Sequence, residues 1–68
     1  MEISENKQML LDLIDKAGKG SIEAAEEIAV GYFEGRFEDK PNPLKAKKWA
    51  SYAAKHGSRV ATQLLERI

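Results

Sequence analysis

The side chains that could do chemistry are few and scattered. His56 is the one histidine, and there is no cysteine. A zinc site needs further nitrogen or sulfur ligands at short, regular spacing, and His56 has none. It lies one residue before Gly57, near the end of an expected helix, where the negative end of the helix dipole favours partial positive charge on an imidazole. Two pairs of carboxylates, Glu26-Glu27 and Glu38-Asp39, are adjacent in the chain. Neighbours on a helix point apart, and the second pair falls in a loop, so neither makes an acid/base dyad. Gly18-Lys19-Gly20-Ser21 shares residue types with a phosphate-binding loop, but it follows a helix rather than a strand and lacks the required spacing. No catalytic, cofactor-binding or metal-binding residue is expected, and the chain reads as a non-enzyme.

The remaining candidates are recognition groups. The stretch Lys45–Ser58 has four lysines in its first eleven residues, with Trp49 and Tyr52 among them. It is either a basic surface for a polyanion or one helix with an apolar face and a solvated one. Helical spacing puts Ala46, Trp49, Ala50, Ala53 and Ala54 on one side, and Lys45, Lys48, Tyr52 and Lys55 on another. The first set reads as packing, because small alanines let helices approach and the indole fills the gap that they leave. The second set, Lys45, Lys48, Tyr52 and Lys55, joined by Arg36 and Phe37 from the preceding loop, is the expected partner-binding surface. Phe37 is apolar in an otherwise polar loop, so it either anchors that loop on the core or contacts a partner.

Four short helices would carry these residues. The first is expected from Ser4, as N-cap, to Ala17, with Gly18 and Gly20 ending it in the left-handed conformation. Leu10, Leu13, Ile14 and Ala17 form its buried face, widened by Met9 and Leu11. The second follows Ser21 and runs to Glu34, where Gly35 stops it. Ala24, Ile28, Gly31 and Tyr32 share one face, and Ala25, Ala29 and Phe33 form an adjoining stripe, so it should pack on more than one neighbour. After the loop Arg36–Asn42, the Asn42-Pro43 pair opens the third helix, which Gly57 ends. Ser58 caps the fourth, a one-sided terminal helix with Val60, Ala61, Leu64, Leu65 and Ile68 in a single stripe. The expected fold is all-α: four short antiparallel helices over 1–68 as one small domain, a complete helix-turn-helix repeat flanked by two half repeats.

A repeat is visible in the chain itself. Gly20-Ser21-Ile22-Glu23-Ala24 returns as Gly57-Ser58-Arg59-Val60-Ala61, an offset of 37 residues, at which Ala17 also matches Ala54 and Ile28 matches Leu65. At these residues the chain resembles the SEL-one-like repeat, a relative of the tetratricopeptide repeat. The first-helix marks of that family correspond to Ala24, Val30-Gly31 and Tyr32, with Gly35 beyond. Its second-helix pattern, K-A-x-x-W-x-x-x-A-A-x-x-G, is present as Lys45-Ala46, Trp49, Ala53-Ala54 and Gly57. Asn42 stands where the family commonly has Asp. The match spans Gly20 to Gly57 and departs in the loop, where Arg36-Phe37 replace a Gly and a small residue and one residue near Lys40-Pro41 is extra. The resemblance implies an α-α superhelix that works as an adaptor or scaffold. Stacked repeats usually need about three units, so this chain is expected to be a minimal form, a self-associating one, or part of an assembly.

Charge and composition narrow the partner. The net charge is zero, with 11 basic and 11 acidic residues, yet residues 1–39 carry −6 and residues 40–68 carry +6. The acidic half opposes nucleic acid, even with Lys45, Lys47, Lys48, Lys55 and Arg59 beside Tyr52. No apolar run approaches a membrane span, MEISENKQ has no signal-peptide character, and the alanine-rich side offers little to a membrane surface. With no cysteine, a reducing, cytoplasmic setting is expected. The leading expectation is a protein–protein interaction module. The alternative is a small inhibitor or immunity-type protein that occludes a target enzyme through its polarised charge. The third is self-assembly of the −6 and +6 halves, head to tail.

Overall fold

Each helix begins and ends where local chemistry dictates. A computed structural model of the chain describes residues 5–68, and four helices follow in order: α1 (Glu5–Gly18), α2 (Ile22–Glu34), α3 (Pro43–Lys55) and α4 (Arg59–Arg67). The Ser21 hydroxyl accepts from Ala24 N at 3.1 Å, Asn42 Oδ1 from Lys45 N at 3.1 Å, and the Ser58 hydroxyl from Ala61 N at 3.0 Å, so three N-termini are capped as the sequence reads. The Ser4 cap expected for α1 lies outside the described residues. Only Gly20, not Gly18, takes the left-handed conformation at the end of α1; Gly18 is its last helical residue.

The 37-residue offset exists as geometry. At the end of α1, Gly20 N donates to Ala17 O and Ser21 N to Lys16 O; at the end of α3, Gly57 N donates to Ala54 O and Ser58 N to Ala53 O. The two glycines have φ of 102° and 97°, a backbone that a Cβ would strain. In both turns the serine that completes the C-terminal motif also caps the next helix, so three residues, 19–21 and 56–58, are enough to join the helices.

α2 is the centre of the fold. It packs against α1 and most extensively against α3, and it also touches α4, while α3 packs on α4. Ala25, Ile28 and Ala29 on α2, Ala46, Ala50 and Ala53 on α3, and Ala61 on α4 are wholly buried, and Leu13, Ala17, Ala24, Tyr32 and Leu64 complete the core. The two stripes expected on α2 therefore do meet more than one neighbour. The end helices are less covered than their periodicity suggests. On α1, Met9 and Leu11 are 50% and 46% exposed and Ile14 is also exposed; on α4, Val60 and Ile68 are exposed. Spacing says which residues share a face, but an end helix has one neighbouring layer and buries only a strip of that face. α1 and α3 lie on α2 without packing on each other, and the molecule is a slab of 38 × 26 × 13 Å.

Candidate functional site

The six expected partner-binding residues divide into two groups. Lys45, Lys48, Tyr52 and Lys55 form one exposed stripe along α3, as residues three and four apart must. Arg36, Phe37 and Lys45 belong to the clasp that carries the chain from α2 to α3.

The clasp is built inward. Arg36 N donates to Gly31 O and Asn42 N to Tyr32 O, both at 2.8 Å, which folds residues 36–42 back over the end of α2. The Phe37 ring stands edge-on to Tyr32, 5.4 Å between centroids, and lies directly over Gly31, in the space that a Cβ at that position would occupy. Of the two roles open to Phe37, the structure places it in the anchoring one: its ring is half-buried against the core. Glu38 closes the clasp. It accepts from Asn42 Nδ2 at 3.0 Å and from Lys45 Nζ at 3.1 Å. These two hydrogen bonds, from Asn42 first and Lys45 second, hold the Glu38 carboxyl below its usual range. The same contact raises the Lys45 ammonium above the usual lysine value. Lys45 also sits 5.4 Å from the Tyr32 ring centroid. Arg36 pairs with Glu34, two residues away. Among the six, Lys45, Arg36 and Phe37 therefore have partners within the fold.

Lys48 and Tyr52 face a groove. It lies between α1 and α3, holds about 520 Å³, and is lined by Ile14, Ala17, Gly18, Lys48, Trp49 and Tyr52. Trp49 is half-buried against the core and stands edge-on to Tyr52 at 6.4 Å, and Tyr52 in turn lies 4.6 Å from the His56 ring. His56 is the C-cap of α3 and continues this row of rings. Lys48 and Lys55 have no ion-pair partner among the described residues. The α1 wall of the groove was not legible as a site in the sequence. Its one signal was Ile14 and Gly18, an apolar residue and a gap one helical turn apart. A smaller hollow of about 190 Å³ between α2 and α4, lined by Val30, Phe33, Glu34, Val60, Gln63, Leu64 and Arg67, contains none of the expected residues.

No helix among the described residues is long and apolar enough to cross a membrane, and no three of their histidine or carboxylate side chains converge as metal ligands. Comparison with protein-family models, with curated proteins and with solved structures returned no match.

Proposed function

We propose that this chain is a protein–protein interaction module of adaptor or scaffold type, a minimal unit resembling the SEL-one-like repeat, with no catalytic activity of its own and working in the cytoplasm. The observation that carries the reading is the row Trp49, Tyr52 and His56, half-buried to exposed, beside an open apolar groove and flanked by Lys48 and Lys55. Rigid aromatic side chains with polar edges are what protein interfaces enrich, since they bury much area at little entropic cost. The test is a tagged pull-down from host lysate, washed at low and high salt, beside a Lys45→Glu/Lys48→Glu variant. One protein recovered stoichiometrically with the wild type and lost with the variant is the expected result; recovery of nucleic acid, or of the bait alone, overturns it.

A second reading, a small inhibitor or immunity-type protein, is favoured by one observation. The −6 half of the chain supplies α1 and α2 and the +6 half supplies α3 and α4, a polarity suited to steering onto one oppositely charged target. Assaying the recovered partner separates the two: an inhibitor abolishes its activity at stoichiometric amounts, and an adaptor leaves it intact.

A further inference from the structure

We propose that the groove between α1 and α3 binds an acidic, apolar-anchored segment of a partner protein, the apolar side chain seated against Ile14, Trp49 and Tyr52 and a carboxylate meeting Lys48. The proposal rests on the interaction reading above and gives it a site and a ligand chemistry.

Shape comes first. α1 and α3 both lie on α2 and do not pack on each other, and at Ala17 and Gly18 the α1 wall has almost no side chain. A cleft of about 520 Å³ remains, within the range of about 300–1,000 Å³ that ligand sites occupy. The opposite wall is already ordered: Trp49 is gripped by the core, Tyr52 rests edge-on against it, and His56 backs Tyr52. A ligand therefore meets rings that have little freedom left to lose.

Charge decides the occupant. α3 carries four lysines and no acidic residue. Lys45 is engaged by Glu38, whereas Lys48, at the rim, has no ion pair among the described residues. On α1, Asp15 pairs with Lys19 at 3.1 Å, and the residues that line the groove include no acid. The charge left for a ligand is positive and sits beside apolar surface. A partner that satisfies both offers a carboxylate next to a Leu, Ile or Phe. A nucleic acid fits less well, because its successive phosphates would meet a single lining cation, Lys48, in an otherwise apolar groove.

Random linear peptides displayed against the wild-type chain test this, with affinities of enriched peptides read from the fluorescence of Trp49, the one tryptophan. Two variants accompany it. Lys48→Glu reverses the rim charge. Gly18→Leu plugs the cleft at a helical position where a Cβ meets nothing within 4 Å; thermal melts verify that both variants fold. Enrichment of peptides with Asp or Glu beside Leu, Ile or Phe is expected, with at least about tenfold weaker binding to each variant. Affinity for Lys48→Glu should return when the peptide acid becomes Lys. Enriched peptides without acids, no enrichment at all, unchanged affinity for both folded variants, or displacement of the peptides by a single-stranded oligonucleotide overturns the proposal. A protein recovered by pull-down whose binding ignores Gly18→Leu and Lys48→Glu overturns the groove while leaving the interaction reading in place.

Discussion

Phe37 and Gly31 form a lock whose two halves come from different segments. The ring occupies the volume where any other residue at position 31 would carry its Cβ, so α2 has a glycine in its interior despite a helix cost of about 1 kcal/mol relative to Ala. Phe37→Ala should destabilise the fold by about 2 kcal/mol, somewhat below the loss for a fully buried ring. Gly31→Ala should also destabilise, by about 1 kcal/mol, since evicting the ring outweighs the gain in helix propensity. With Phe37 already Ala, the same Gly31→Ala change should become stabilising, because only the propensity term remains. Urea unfolding of the two single variants and the double variant checks this change of sign. Glu38 sets a second expectation. Its carboxyl is held below the usual range by Asn42 and Lys45, so its contribution is present above the unfolded-state value and is lost as pH falls through the folded one. Glu38→Gln should therefore flatten the acid limb of stability against pH, while leaving the slope above neutrality unchanged; an identical acid limb would show that the clasp does not depend on this charge.

At the scale of elements, the two serine turns look alike and differ in one bond. Ser21 and Ser58 each cap a helix, but the Ser58 hydroxyl, itself buried, also donates to Oε1 of half-buried Glu26 on α2 at 2.6 Å. That bond ties the α3–α4 turn to the central helix across 32 residues of chain. Ser21→Ala should cost about 1 kcal/mol, the usual loss for an N-cap, and Ser58→Ala about 2 kcal/mol, since a bond to a carboxylate is lost as well. A double-mutant cycle with Glu26→Ala should show coupling of about 1 kcal/mol at Ser58 and none at Ser21. Equal losses at the two serines would mean that the Glu26 bond adds nothing to the cap.

Over the whole molecule, the repeat offset shows what the end helices leave out. Ala24 and Ala61 are buried in both units, and Ala17 is buried where its counterpart Ala54 is partly so; these positions serve the turn contact that occurs twice. Positions that α2 and α3 use for each other change character at the ends. Ala25 and Ala29 are wholly buried, and their counterparts Thr62 and Glu66 are exposed and polar; Ala53 is wholly buried, and its counterpart Lys16 is exposed. A second copy stacking in the same register would bury the Glu66 and Lys16 charges, and the cost of their desolvation offsets what their mutual attraction returns. The chain should therefore sediment as a monomer at both low and high salt. Thr62→Ala/Glu66→Ala/Lys16→Ala should introduce concentration-dependent association. A wild-type dimer that dissolves in salt would instead favour pairing through the −6 and +6 halves.

What was legible in the sequence follows from how far each signal reaches. Helix limits, caps, the left-handed Gly20, the stop at Gly57, and the alanine faces of α2 and α3 are set by residues within a turn or two, and the all-α, four-helix fold came from these alone. The same local spacing placed Lys45, Lys48, Tyr52 and Lys55 on one stripe. It could not tell that Lys45 is tied to Glu38 while Lys48 is not, because that depends on where the loop folds. Nor could periodicity tell that Met9, Leu11 and Ile14 stay exposed, since a helix pattern names a face and not its cover. The seat of Phe37 on Gly31, the Ser58–Glu26 bond and the groove between α1 and α3 were decided only by tertiary structure. Each of them joins segments that are brought together by the packing of other residues, chiefly the alanines of α2 and α3.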